Sequence, residues 1–184
     1  MFTGLLIGAL SFSALVQQTD TIIQVDGASR LALEAFRGEV VVRTWDRDAV
    51  QLQVDHSEST HIDIRRSGRS IVVEPDVDRG YGFSVSVDFR VTVPRRFDLN
   101  IEGVALNVDV EGSEGQIEVG TVHGPIRVMG GRGSIVLESV NGEIHLEGAQ
   151  GDMEVTGVAG EVTVLNCSGD LFAESVGGPL RLEG

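Results

Sequence analysis

The sequence predicts an all-β fold, a β-solenoid (β-helix) in which each 18-residue coil contains two nine-residue strands. Three patterns predict it: a glycine recurs every nine residues, apolar residues alternate between the glycines, and one position alternates between valine and a small residue. These patterns occupy residues 97–184, whereas residues 19–96 indicate an irregular β cap. We therefore expect a signal peptide over residues 1–18 and a single β-solenoid domain over residues 19–184.

The N-terminal segment has the composition of a secretory signal. Residues 1–19 carry no charged side chain, and residues 4–16 are mostly apolar, which is shorter than the ~20 residues that span a bilayer. Small residues precede a plausible cleavage position between Ser13 and Asp20. The segment predicts an exported protein, in the periplasm, at the cell surface or secreted, with no stable membrane span in the mature chain. An uncleaved anchor or a buried strand remains open.

The cap contains short β-rich segments without the nine-residue period. Turn signals such as Asp26-Gly27, Arg37-Gly38 and Arg79-Gly80 divide several of them. The candidate strands are residues 21–25, 31–36, 39–45, 50–55, 62–66, 71–74 and 83–93. No change in composition marks a linker between this half and the repeats, so we expect one domain.

The repeat is defined by eight glycines, each nine residues from the next: Gly115, Gly124, Gly133, Gly142, Gly151, Gly160, Gly169 and Gly178. With glycine as position one, positions three and five are apolar, as in Ile117 and Val119, and are expected to point inward. Equivalent residues should stack ~4.8 Å apart in successive coils. Position eight is then expected to form an inward valine ladder at one corner and a small-residue ladder at the other. These residues are Val104, Ser113, Val122, Gly131, Val140, Ala149, Val158, Cys167 and Val176.

The charges define a candidate binding face. The chain has 28 acidic residues against 14 Lys plus Arg, a net charge of -14, which argues against nucleic-acid binding because that backbone is itself anionic. Outward glutamates recur in every second coil of one sheet, about 9.6 Å apart. The predicted partner-binding face consists of Glu118, Glu138, Glu154 and Glu174. A cationic partner, an envelope protein or polymer of unknown identity, would suit this face.

No catalytic, cofactor-binding or metal-binding residues are predicted. The turn Gly130-Gly131-Arg132-Gly133-Ser134-Ile135 resembles a calcium-binding repeat but has Ile135 in place of the ligand aspartate. The group Asp152, Glu154, Asp170 and Glu174 could suggest a polysaccharide-cleaving enzyme, but an open acidic face is not the sheltered cleft that such chemistry needs.

The remaining reactive side chains have structural interpretations. His56, His61, His123 and His145 lack ligand spacing and are expected at the surface. Trp45 is expected to pack in the cap, with a contact site as the alternative. Cys167, the only cysteine, is expected to be a buried and inert thiol.

The sequence resembles the bacterial DUF4097 family of β-strand-repeat proteins, which is labelled putative adhesin. The resemblance covers nearly the whole mature chain. It is carried by the sequences of residues 31–36 and 38–46, by Val93-Pro94, and by repeat units such as residues 139–144. It implies an envelope-associated β-solenoid without catalytic residues. The leading hypothesis is therefore a non-catalytic, adhesin-like scaffold or binding module, with an envelope-stress sensor or regulatory partner second and a polysaccharide-acting enzyme third.

Overall fold

The computed structural model describes residues 16–77 and 85–184, and these residues form fifteen β-strands and no helix. The all-β class predicted from the sequence is confirmed. The strands are β1 Val16–Gln24, β2 Arg30–Trp45, β3 Ala49–Ser57, β4 Thr60–Ser67, β5 Ser70–Val77, β6 Asp88–Pro94, β7 Asp98–Glu111, β8 Ile117–His123, β9 Ile126–Met129, β10 Arg132–Asn141, β11 Ile144–Glu147, β12 Gln150–Gly157, β13 Val162–Leu165, β14 Leu171–Ser175 and β15 Leu180–Glu183.

Some sequence predictions fall outside the described residues. The predicted signal peptide does so up to residue 15, and its residues 16–18 belong to β1. The turn at Arg79-Gly80 and the beginning of the candidate strand 83–93 also lie outside the described residues.

The strands pair in two columns, which are joined because β2 and β7 run through both. Column one has the order β4-β5-β2-β7-β8-β10-β12-β14, and column two has the order β1-β3-β6-β2-β7-β9-β11-β13-β15. From β7 onward all pairs are parallel and join residues 18 apart, as in Leu99 with Ile117 and Ile126 with Ile144. In the cap, β1, β3 and β6 pair antiparallel, as do β4 and β5.

Strand β2 differs from the sequence prediction, which placed a turn at Arg37-Gly38 between two strands. The structure has one continuous strand of 16 residues. It stays continuous because β7 pairs with it on both sides of the predicted turn, from Arg30 with Asp98 to Val42 with Val110. Gly38 adopts a φ of 137°, and a side chain there would meet the carbonyl oxygen of Val87. A glycine here therefore marks a close backbone approach within a strand.

The core is one cluster of buried apolar side chains contributed by both columns. Positions three and five of the repeat are buried from Ile117 to Val164, as the alternation predicted. The last unit differs, because no described strand pairs with the outer edges of β14 and β15. Leu171, Leu180 and Leu182 are consequently 38%, 43% and 51% exposed.

The glycine period has a steric cause. A Cβ added to Gly142 would lie 1.9 Å from the carbonyl oxygen of Gly124, the equivalent glycine 18 residues earlier. Gly160 has the same relation to Gly142, at 2.1 Å, and Gly178 to Gly160, at 1.8 Å. Because the backbones pass so close to one another, any side chain at this position would displace the neighbouring unit.

The predicted inward valine ladder is wrong. Val122 is 38% exposed, and Val140 and Val158 are each 41% exposed. The reason is that the inward alternation continues to position seven, where Thr121 and Ser139 are buried, so position eight lies on the outer face.

The small-residue ladder at the other corner is confirmed as inward. Ser113, Gly131 and Ala149 are buried, and Cys167 is partly buried against the core. The thiol of Cys167 donates a hydrogen bond to the carbonyl oxygen of Leu165 at 3.2 Å. Only small side chains fit this corner: a Cβ added to Gly131 would lie 2.7 Å from the Cδ1 atom of Ile135.

Candidate binding groove

The outward valines belong to an exposed apolar ladder on column one. Its members lie level with one another on successive strands and are Phe36, Val104, Val122, Val140, Val158 and Val176. The register follows from the flanking pairs, such as Ser139 with Thr121 and Asn141 with His123 on either side of Val140 and Val122. Successive members are therefore ~4.8 Å apart. The ladder gives the outer face of column one a continuous apolar strip.

A carboxylate row runs beside the apolar ladder, two residues earlier on each strand. It consists of Glu34, Glu102, Glu138 and Glu174, with Gly120 and Thr156 in the intervening places. Residues two apart on one strand share a face and lie about 6.6 Å apart. The outer face of column one is thus amphipathic, with carboxylates on one side and branched apolar side chains on the other.

The two rows line a groove of about 1010 Å³. One end is formed by Glu74, Pro75 and Asp76 of β5, and the other reaches Thr156 and Val158 of β12. Six of the described lining residues are acidic, and none of them is Lys, Arg or His. The acidic ones are Glu34, Glu74, Asp76, Glu102, Glu118 and Glu138.

Two of these carboxylates have cationic neighbours. Glu74 accepts a hydrogen bond from Arg65 at 2.7 Å, and this contact, followed by that with Asp63, raises the pKa of the Arg65 guanidinium. Glu118 lies 3.7 Å from Arg30 and accepts a hydrogen bond from the amide of Asn100.

The carboxylates in the middle of the groove lack such neighbours. In the described part of the chain, no Lys or Arg nitrogen lies within 4.0 Å of the carboxylates of Glu34, Glu102 or Glu138. Glu34 and Glu102 are direct partners on adjacent strands. Like charges in that relation destabilise a sheet, so a bound cation would relieve their repulsion.

The four glutamates predicted as a binding face are all exposed on column one. The structure brings Glu118 and Glu138 into the groove. Glu154 lies instead in a shallower depression of about 570 Å³ with Asp152, Asp170 and Phe172, and Glu174 lines neither. Three of the four residues considered for polysaccharide cleavage therefore lie together, beside one exposed aromatic ring.

The histidines do not all lie at the surface, as had been expected. His56 is buried, because β1 pairs over β3 and covers it. Its Nδ1 atom lies 2.9 Å from the carbonyl oxygen of Ser57, and its Nε2 atom lies 2.9 Å from the hydroxyl of Thr19. Since a carbonyl only accepts, Nδ1 carries a proton. The ring thus links β1 to β3.

Trp45 lies at the end of β2 and is partly buried. Its ring nitrogen donates a hydrogen bond to the carbonyl oxygen of Ala49 at 2.7 Å, and the guanidinium of Arg47 lies 4.9 Å from the ring centre. Over residues 16–77 and 85–184, no three His, Cys, Asp or Glu side chains are grouped as ligands of a metal ion. No helix in that part of the chain is long and apolar enough to cross a membrane.

Sequence reasoning missed half of the groove. The outward direction of the apolar ladder could have been found by extending the alternation from positions three and five to seven. The contribution of Glu34 and Phe36 had no such signal, because β2 lies in the cap, outside the nine-residue period.

The fold is similar to that of a putative cell adhesion protein from Clostridium sporogenes, with a TM-score of 0.53 at 10% identity over 92% of this chain and 99% of that chain. A putative adhesin from Bacteroides fragilis aligns with a TM-score of 0.46 at 11% identity over 90% of this chain and 97% of that chain. No family model matches the chain, and no curated protein matches its sequence.

Proposed function

We propose that this protein is an exported, non-catalytic binding module that attaches a cationic partner at the groove of column one. The observation that carries the proposal is the set of carboxylates without cationic neighbours, Glu34, Glu102 and Glu138, beside the exposed apolar ladder. An interface with an apolar centre and a charged border is the usual design of a protein-binding surface. The groove is open along its length, which suits binding better than the sheltered chemistry of a hydrolase.

We further propose that the two columns form a β-solenoid and that the chain is a member of the DUF4097 family. Parallel pairing between residues 18 apart in both columns supports the first point. The shared fold of the Clostridium sporogenes protein, together with the quoted sequence motifs, supports the second. Both are consistent with an adhesin-like role in the cell envelope.

The binding function is tested by affinity capture from envelope extracts. The double variant Glu102→Lys/Glu138→Lys should lose its captured partner, because it replaces attraction by repulsion at the centre of the groove. Glu147→Lys/Glu161→Lys makes the same change in net charge outside the groove and should retain the partner. Equal capture by the two variants would refute a role for the groove.

Export is tested separately, by intact-mass measurement of the protein in cell fractions. We expect a species shortened by cleavage between Ser13 and Asp20, recovered outside the cytoplasm. A full-length protein confined to the cytoplasm would contradict the proposed location. It would leave the binding proposal to be judged on the capture experiment alone.

A further inference from the structure

The spacing of the groove indicates the kind of partner that it accepts. We propose, resting on the binding function above, that the groove takes an extended polypeptide segment in the polyproline II conformation, with Lys or Arg at every third residue. This inference specifies the chemistry and the period of the ligand, neither of which follows from an acidic surface alone.

The carboxylate row sets the period. Glu102, Glu138 and Glu174 are separated by one strand each time, because Gly120 and Thr156 occupy the places between them. Their separation along the column is therefore about 9.6 Å. A polyproline II segment rises ~3.1 Å per residue with three residues per turn, so every third side chain returns to the same face after about 9.3 Å.

Other backbone conformations match this period less well. In a β-strand, side chains on one face recur every ~6.6 Å, and the next repeat is about 13 Å. In an α-helix, side chains three or four residues apart lie about 5–6 Å from one another, and those seven apart lie about 10.5 Å apart. A helix is also about 10–12 Å wide, whereas the carboxylate row and the apolar ladder are about 6.6 Å apart.

The apolar ladder accounts for a second face of the ligand. Val122 and Val140 are both well exposed and lie one strand apart, so the apolar strip is continuous along the groove. A polyproline II segment presents three faces, one of which would meet the carboxylates while the next, with proline or an aliphatic residue, lies against the valines. The third face would remain in solvent. Burial of the valines would add about 25 cal/mol for each Å² of apolar surface covered.

The test uses synthetic peptides of about twelve residues with the full mature protein, measured by fluorescence anisotropy. The periodic peptide repeats Lys-Pro-Val, and a block peptide has the same composition with all lysines at one end. We expect the periodic peptide to bind about tenfold more tightly, with affinity falling as salt rises from about 50 to about 300 mM. Equal affinities would overturn the period while leaving the capture experiment unaffected.

Variants of the protein separate the two faces. Val122→Thr/Val140→Thr keeps the shape of the side chains and should weaken the periodic peptide about tenfold by removing apolar contact. Glu102→Gln/Glu138→Gln should weaken it and reduce its salt dependence, whereas Glu147→Gln/Glu161→Gln, outside the groove, should bind as the unmodified protein does. Circular dichroism confirms that each variant is folded. If neither groove variant affected the peptide, the assignment of the groove as its site would be wrong.

A cationic polysaccharide is the competing class of ligand, because its amines can also recur at intervals near 10 Å. A glucosamine oligomer of matched charge serves as the second probe. We expect it to bind more weakly than the periodic peptide, since the groove offers valines and only Phe36 as an aromatic ring. Tighter binding of the oligomer would overturn the assignment to polypeptide.

Discussion

Replacing Leu137 with aspartate should lower the free energy of unfolding by about 4 kcal/mol or more, a large part of the stability of a domain of this size. Leu137 is fully buried, and its strand β10 is paired on both sides, with Val119 of β8 and Val155 of β12. A carboxylate at this position would have neither water nor a cation beside it. The measurement is urea denaturation followed by circular dichroism.

Val140→Asp is the matched control, three residues further along the same strand. Because Val140 is 41% exposed, the new carboxylate reaches water, and we expect a change within about 1 kcal/mol. If Leu137→Asp does not fold, Leu137→Ala should still cost about 2–5 kcal/mol through the cavity that it leaves. Similar losses at positions 137 and 140 would contradict the outward direction of the apolar ladder.

Replacing Gly142 with alanine should lower the free energy of unfolding by about 2–3 kcal/mol. The added methyl group would lie 1.9 Å from the carbonyl oxygen of Gly124, and that oxygen belongs to backbone rather than to a movable side chain. The units on either side are held by strand pairing, so the strain cannot be relieved locally. Thermal or urea denaturation measures the loss.

Gly120→Ala is the control for the glycine substitution. No atom outside its immediate chain neighbours lies within 4 Å of a Cβ added there, and its strand β8 is regular. Alanine should therefore be neutral or stabilise the protein by about 0.5 kcal/mol, since it reduces the freedom of the unfolded chain. A loss at Gly120 equal to that at Gly142 would show that the glycine period is not explained by close approach.

The sequence allowed the core of the repeats to be predicted because two independent periods agree there. Alternation assigned Ile117 and Val119 to the inside, and the repeated glycine fixed the phase in every unit. It failed for Val140, because valine is equally suited to a buried and to a half-exposed strand position. The residue type suggested the interior, whereas the polar Ser139 just before it occupies the inward position.

The cap and its share of the groove could not be predicted for a different reason. Arg30 pairs with Asp98 across a long insertion, and no repeat in the sequence links those two strands. Glu34 and Phe36 therefore had no assigned neighbours, although Glu118 and Glu138 were predicted correctly as exposed members of one face. His56 was misplaced because its burial depends on the pairing of β1 with β3.

The stacking of equal units also bears on how the gene could change length. Each unit adds one strand to each column, as from β10 and β11 to β12 and β13, so an in-frame duplication would extend the groove by ~4.8 Å without disturbing the other units. Acidic residues occupy alternate places in the carboxylate row. Duplication of a single unit would put two places of the same kind side by side, whereas duplication of two together would preserve the alternation. Paralogues of different length should therefore differ by even numbers of units.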